Sequence, residues 1–483
     1  MNSRRNFLKT AGLGAAALSL APALNCAQKS KAIGKKYNVL FIAVDDLRPQ
    51  LSCYGQKQIL SPNIDRLAAE GTLFERCFCQ VPVCGASRAS LLSGVRPNRD
   101  RFVNYYTWAE KDAPDATVLP KYFKKNGYYT ISNGKVFHNY PDSKDSWSEP
   151  VYRPDKIPED NWRDYVLDEN IIAELQKGRG PAFEIADVHD TGYCDGKTAI
   201  KAIDDLRRLK KLDKPFFLAT GFLKPHLPFN PPKKYWDMYN LEDINLADNP
   251  FKPKDAPDAS MHNWGELRAY AGIPKEGSLP DELARTLIHG YYASVTYIDA
   301  QIGRLLYELD RLKLRDNTIV VLWGDHGWQL GEHSLWCKHC NYETSLHAPM
   351  IISAPGGKGG QRTRALTEFV DIYPTLCELC GLPLPEHLQG TSFVPLLQNP
   401  ARNWKKATFS RFHDGESVRT DRYLYTEYKN DLGSVYARML YDHQNDPKEN
   451  VNISERPKNK ELVARLSKML NDGWKPVRDD LNV

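Results

Sequence analysis

Hydrophobic residues along this chain fall into two kinds of pattern. Three runs, "YNVLFIAV" (37–44), "PFFLATGF" (215–222) and "NTIVVLWG" (317–324), are apolar with no polar alternation. Runs of that length without alternation predict parallel strands covered on both faces. Around them lie helix-period stretches such as "SPNIDRLAAEG" (61–71), which opens on Ser-Pro and stops at Gly. Strands alternating with helices predict a doubly wound α/β sheet, in which ligands sit beyond the carboxyl ends of the strands. That edge would carry Asp45 and Asp46 after the first run, His226 after the second, and Asp325 and His326 after the third. Segments 140–190 and 230–280, rich in Pro, Asp, Lys and Trp, read as long loops on the same edge, where recognition commonly resides. Past residue 395 the pattern changes. "ATFSRF", "ESVRTDRYLYTEY" and "SVYARMLYD" predict short antiparallel strands, and "ELVARLSKMLNDGW" an amphipathic closing helix. The expected organisation is therefore a main domain over 36–395 and a smaller α+β subdomain over 396–483.

Composition changes this picture little. The chain has 483 residues, 41% hydrophobic and 26% charged, enough to bury a large core. A net charge of +5 is small for this length. It disfavours dedicated nucleic-acid binding, which needs a concentrated basic stripe, and is compatible with anionic substrates. Residues 1–30 carry paired arginines, a short apolar run and then small residues, the pattern of a twin-arginine export signal. Export to the periplasm or cell surface is expected. "ALNC" loosely fits lipid attachment at Cys26, although Asn before the cysteine is a poor match. No other segment is long and apolar enough to span a bilayer. Nothing in the sequence specifies an oligomeric state.

Three carboxylates and one histidine at strand ends make an oxygen-rich pocket, suited to calcium or magnesium rather than zinc. Asp45-Asp46 alone would read as a solvated turn; a second acidic strand end at Asp325 points to a metal. Two C-x2-C pairs, Cys337/Cys340 and Cys377/Cys380, have zinc-like spacing, but the gap between them exceeds that of common zinc modules. The second pair lies in a helix-like pattern, where cysteine is usually a small buried apolar residue. In "VPVCGASRASLLSG" (81–94), Cys84 opens a helix-like run and Arg88 follows four positions on. Four readings of Cys84 stay open: nucleophile, metal ligand, half of a disulfide, or a residue that acts after modification.

Cys84, Ala86 and Arg88, followed by "LLSG" (91–94), resemble the sulfatase motif Cys-x-Pro/Ala-x-Arg, which directs oxidation of the cysteine to formylglycine. The resemblance extends over nearly the whole chain after residue 36. "VDD" (44–46), "NGKVFH" (133–138), "KPHLPF" (224–229), "GDHGWQLGEH" (324–333), "WCKHCNYE" (336–343) and "LYDHQNDPKENVN" (440–452) follow the order and rough spacing of type I sulfatases, especially the iduronate-2-sulfatase-like branch. It implies an alkaline-phosphatase-like α/β fold, a mixed sheet sandwiched by helices with a smaller C-terminal α+β subdomain. It also implies a calcium ion held by Asp45, Asp46, Asp325 and His326, with the modified Cys84 completing the shell. His326, where many sulfatases have Asn, marks the iduronate branch. By the same resemblance Arg88 would hold the formylglycine hydroxyls, and Lys135 and Lys338 the sulfate oxygens. His138 would deprotonate the second hydroxyl. His226, with Lys338, would protonate or orient the leaving oxygen. Glu332, His333 and His347 would support the site from behind. A formylglycine-generating maturase and a sulfated oligosaccharide are the implied partners.

Elementary chemistry agrees. A sulfate ester has a weakly electrophilic sulfur and a poor leaving group. Its hydrolysis needs a strong nucleophile, cations around the sulfate oxygens, and an acid for the leaving oxygen. A hydrated aldehyde supplies two hydroxyls, one to attack sulfur and one to expel sulfate afterwards; a thiol or serine lacks the second. Expected substrates are uronate 2-O-sulfates of glycosaminoglycans or sulfated algal polysaccharides such as ulvan. One rival is a phosphatase or phosphonate monoester hydrolase of the same superfamily, which shares fold and metal edge. Another is an unmodified, inactive protein that binds sulfated glycans. The Lys/His set favours sulfate over phosphonate, and the filled catalytic positions argue against a binding protein.

Overall fold

The computed structural model describes residues 36–154, 163–479 and 481. The expectations for residues 1–30, including Cys26, lie outside the described residues. Seven strands form the central sheet: β1 (Asn38–Val44), β2 (Thr72–Phe74), β3 (Tyr129–Gly134), β4 (Phe216–Phe222), β5 (Thr318–Gly324), β6 (Met350–Ser353) and β7 (Gln361–Thr363). Their spatial order is β7-β2-β6-β5-β1-β4-β3. The three apolar runs are the neighbouring strands β5, β1 and β4, paired in parallel.

Every residue of β1 is buried, and its side chains divide between two cores. Leu40, Ile42 and Val44 face one, and Val39, Phe41 and Ala43 the other. A strand covered on both sides has no polar positions to alternate, which is why the run is continuous. The first core is covered by α1 (Pro62–Glu70), α3 (Cys194–Leu209) and the long α4 (Asp281–Arg311); the second by α2 (Cys84–Ser93) and α5 (Ile372–Leu379). Burying one such large aliphatic or aromatic side chain is worth about 1.5–3 kcal/mol. α1 starts after Ser61 and ends before Gly71, as its punctuation predicts.

Two features differ from the pattern-based reading. The sheet is mixed, because β6 runs antiparallel to both β5 and β2. It is buried throughout like its neighbours, so its direction leaves no mark on the sequence. Segment 140–190 is not all loop: Asp168–Lys177 is a helix. It buries only Glu174, and its apolar residues Ile172 and Leu175 stay exposed, so its periodicity marks no core face. Its stability signals are Asp168 and Glu169 in the first turn, Lys177 in the last and Gly178 at φ 72° beyond it.

The C-terminal strands β8 (Ala407–Phe412), β9 (Gly415–Thr420), β10 (Tyr423–Lys429) and β11 (Val435–Asp442) form an antiparallel sheet. Helix α6 (Lys460–Asp472) sets Leu466 and Leu470 against Ala407, Val418, Tyr425 and Leu440. Buried Lys405, just before β8, pairs with Glu368 at 2.9 Å and Asp371 at 2.6 Å, tying this sheet to the first domain. The nine described cysteines are free thiols. Among the described residues neither C-x2-C pair joins a metal-capable group, and no helix is long and apolar enough to cross a membrane.

Candidate active site

Four parallel strands end at one edge: β1, β3 and β5 continue directly into Asp45, Lys135 and Asp325, and β4 into the loop that carries His226. Val44 at the end of β1 is in register with Phe222 of β4 and Gly324 of β5. Asp45-Asp46, the 223–229 loop and Asp325-His326 therefore start at one level. Asp46 adopts φ 59°, a left-handed conformation that Asp tolerates, and its N–H donates to Asp325 Oδ1 at 3.0 Å. β3 ends at Gly134, φ 70°, where a β-carbon would collide with the Gly221 carbonyl. Glycine there lets the strand end close on β4, and the Lys135 N–H bonds the same carbonyl at 2.9 Å.

Cys84 is the first residue of α2, and no side chain caps that helix. The positive end of the helix dipole thus lies beside the sulfur. The loop carrying Tyr105 covers this turn because residue 85 is glycine; a β-carbon would come within 2.7 Å of the Tyr105 carbonyl oxygen. Arg88 lies one turn on, wholly buried. Its Nε donates to Asp325 Oδ2 and its Nη2 to Asp45 Oδ1, both at 2.8 Å. Its Nη1 donates to the Lys135 and Val136 carbonyls at 2.5 and 3.0 Å.

Cys84 Sγ is 3.2 Å from His326 Nε2 and 3.7 Å from Asp46 Oδ1. His326 Nδ1 meets the Gly327 carbonyl at 2.9 Å, so Nδ1 holds the proton and the Nε2 lone pair faces the carboxylates. Asp45, Asp46, Cys84 and His226 offer ligand atoms within 4.8 Å of one another, as do Cys84, Asp325 and His326. All five residues read as metal ligands from the sequence thus converge.

The cationic residues converge as well. Lys135 Nζ pairs with Asp45, and Lys338 Nζ is 3.1 Å from both Asp46 oxygens. Burial opposes ionisation of Asp45, but Lys135 and Arg88 outweigh it and hold the carboxyl well below its ordinary range. Asp46 goes the other way. Burial exceeds the pull of Lys338, and with repulsion from Asp45 pushes it up to about 7. Burial also pushes the Cys84 thiol well up. Burial and then Lys135 hold His138 well below the usual imidazole range, and its buried Nδ1 has no hydrogen-bond partner. His226 is lowered by burial and by Lys338 and Lys135. Its Nδ1 bonds the Leu227 carbonyl at 2.6 Å, and its Nε2 lies 3.2 Å from Glu266 Oε1.

Three supporting residues fall elsewhere. Glu332 pairs with Arg48 at 2.7 Å, His333 Nε2 bonds the Lys448 carbonyl at 2.8 Å, and the His347 ring packs on Phe78. They fasten surrounding segments to one another rather than shaping the Cys84 pocket. Glu266, on the single helical turn Gly265–Arg268, also reaches this site and is absent from the sequence-predicted set. It contacts Lys338 and His226, and its only sequence signal was membership of the 230–280 segment assigned to this edge. Phe412, at the tip of the β8–β9 hairpin, packs its ring 5.8 Å from that of His339 and brings the C-terminal subdomain to the rim.

The chain matches the family model described as Sulfatase over residues 37–382, and that described as N-sulphoglucosamine sulphohydrolase, C-terminal, over residues 331–475. It is 35% identical to iduronate 2-sulfatase of Homo sapiens over 454 residues, 85% of this chain and 80% of the human protein. A solved structure described as in complex with its substrate D-glucosamine-2-N,6-O-disulfate is similar at TM-score 0.71 and 24% identity, covering 92% of this chain and 99% of that one. A phosphonate monoester hydrolase from Silicibacter pomeroyi is similar at TM-score 0.76 and 23% identity, covering 91% and 96%.

Proposed function

The chain belongs to the sulfatase family and is a sulfuric ester hydrolase, and we propose that it removes sulfate from a sulfated carbohydrate by chemistry centred on Cys84. The observation that carries this reading is the meeting, at one strand edge, of Cys84 with a carboxylate set on one side and Lys135, Lys338, His138 and His226 around it. As a plain thiol Cys84 is a weak nucleophile, because burial keeps it protonated. Oxidised to formylglycine by a maturase, it would supply a hydrated aldehyde with one hydroxyl to attack sulfur and one to release sulfate.

A divalent cation fits the donor set. Asp45 and Asp46 on one side and Asp325 and His326 on the other each offer ligand atoms beside Cys84, so three buried carboxylates and one imidazole flank that residue. We assign the cation as calcium, held by Asp45, Asp46, Asp325, His326 and residue 84; bound there it would polarise the sulfate and acidify the attacking hydroxyl. Arg88, fixed by four hydrogen bonds, orients the hydroxyls of residue 84. Lys135 and Lys338 hold sulfate oxygens. His138, neutral at physiological pH, accepts the proton of the second hydroxyl. His226 Nε2 faces the leaving oxygen. The human relative's name favours a uronate 2-O-sulfate as substrate; on the sequence reading it belongs to a glycosaminoglycan or a sulfated algal polysaccharide such as ulvan, and the enzyme is exported through its first 30 residues.

The test joins mass spectrometry of the Cys84 peptide to kcat/KM on 2-O-sulfated uronate oligosaccharides, ulvan fragments, a phenyl sulfate and a phenyl phosphonate. Full activity with unmodified Cys84 would refute the mechanism. The likeness to phosphonate monoester hydrolases supports a second reading, which a higher kcat/KM on the phosphonate would establish in place of the first.

A further inference from the structure

Glu266 sits beside the Cys84 pocket with 16% of its side chain exposed. Its Oε1 accepts a hydrogen bond from Lys338 Nζ at 2.9 Å and lies 3.2 Å from His226 Nε2. Its Oε2 accepts no hydrogen bond, with His339 Nδ1 3.9 Å away. A largely buried carboxylate is costly unless cations surround it, and two of its neighbours are the groups assigned to the leaving-oxygen side. Both have a competing attraction. Lys338 is 3.1 Å from Asp46 Oδ1, and His226 Nε2 is 3.9 Å from Asp46 Oδ2. Without Glu266, Asp46 would draw His226 Nε2 toward the metal-ligand cluster and would hold Lys338, already 3.1 Å from both its oxygens, with no counter-pull. The Leu227 carbonyl pins His226 at Nδ1 and so fixes the ring plane; Glu266 fixes where the other nitrogen and the ammonium stand.

We propose that Glu266 is a positioning residue for leaving-group protonation, holding His226 off Asp46, sharing Lys338 with it, and so setting both groups against the departing oxygen. This inference rests on the sulfate-ester reading of the site. As an oxygen on residue 84 bonds to sulfur and the sulfur–oxygen ester bond breaks, the electron pair stays with the leaving oxygen, which takes the Nε2 proton of His226 in its imidazolium form and leaves a neutral ring with the Nδ1 proton on the Leu227 carbonyl. Glu266 neither gains nor loses a proton. A group acting this way matters in proportion to how badly the leaving oxygen needs a proton.

The experiment uses the mature enzyme, with formylglycine content and metal matched between variants. It measures kcat and KM on a series of phenyl sulfates graded from strongly to weakly acidic leaving phenols. Glu266→Gln keeps the shape and removes the charge. It should lower kcat about 10–100-fold on the poorest leaving group, below the ~10²–10⁴-fold of a general acid itself. On the best leaving group kcat should stay within about threefold, as should KM throughout, and Glu266→Asp should recover part of the loss. In the His226→Ala background Glu266→Gln should add little, because residues acting through one another are not additive. A loss uniform across the series, a loss confined to KM, or full additivity with His226→Ala would overturn the proposal. Should the wild-type enzyme prefer phenyl phosphonates, the sulfate reading falls, and the same comparison run on graded phosphonates still decides the role of Glu266.

Discussion

Consider Arg88→Ala. Arg88, Asp45 and Asp325 are wholly buried, and the guanidinium joins the two carboxylates at 2.8 Å each. Removing one partner of a buried pair costs about 3–5 kcal/mol, because the other charge is left uncompensated. Two carbonyls, those of Lys135 and Val136, also lose their donor, at about 1 kcal/mol for each hydrogen bond. Lys135 still neutralises Asp45 in part, so the sum is about 4–6 kcal/mol rather than twice the pair value. Unfolding entropy near 2.1 cal/mol/K per residue gives about 0.9 kcal/mol/K for a unit of about 450 residues, and Tm should fall by about 4–7 °C. The assay is scanning calorimetry of wild type and variant at neutral pH in chelator, at one scan rate. Arg88→Lys keeps a charge but cannot bridge both carboxylates, and should lose about half as much. A fall under about 1 °C for Arg88→Ala would refute the claim that both carboxylates depend on this guanidinium.

Cys84→Ala should abolish turnover and leave Tm within about 1 °C, since the thiol makes no ion pair; substantial residual activity would end the covalent reading. Asp325→Ala should lose metal and activity together, as metal analysis of the purified protein would reveal, and stoichiometric zinc in active wild type would overturn the calcium assignment. His226→Ala should lower kcat/KM on a sugar sulfate by about 10²–10⁴-fold and on an aryl sulfate far less, whereas Lys135→Ala should lower both alike; equal losses in His226→Ala would move the acid to Lys338. His443 lies 3.3 Å from Glu343 and 3.0 Å from Glu449. Burial would lower its pKa, but Glu343 and Glu449 raise it. Its contribution to stability is full below the unfolded value of about 6.5 and is lost as pH rises through the raised folded pKa. For Glu343 burial is outweighed by Arg419 and His443, which bring it down to about 2. That contribution is present above the unfolded value of about 4.3 and fades as pH falls toward 2. The Tm difference between wild type and His443→Gln should therefore be larger near pH 5.5 than near pH 8.5, about one unit below and two above the unfolded histidine value; equal differences would exclude a stabilising role for the His443–Glu343 and His443–Glu449 pairs.

Much of this protein can be read without coordinates. Continuous apolar runs ending in Asp45-Asp46 and Asp325-His326 identify buried strands and the edge where chemistry gathers, because a strand covered on both faces has no polar position until it leaves the sheet. The Cys84-to-Arg88 spacing holds one helical turn, so both side chains share a face of α2 once that segment is helical. The reversal of β6 is not legible, since a fully buried strand looks the same in either direction. Nor is the Asp168–Lys177 helix, a short amphipathic stretch within a segment rich in Pro, Asp and Lys, whose apolar residues Ile172 and Leu175 stay exposed. Glu266 is the clearest case. It lies 72 positions from Lys338 on one turn of an irregular segment, and no local pattern sets where that turn packs. Residue order is enough to place the strand core, the acidic edge and the residue types available for catalysis. Tertiary structure alone decided the pairings: Lys135 with Asp45, Lys338 shared between Asp46 and Glu266, and Arg88 between two carboxylates. Residue type and spacing act locally, whereas these contacts depend on strand order and register between segments far apart in the chain.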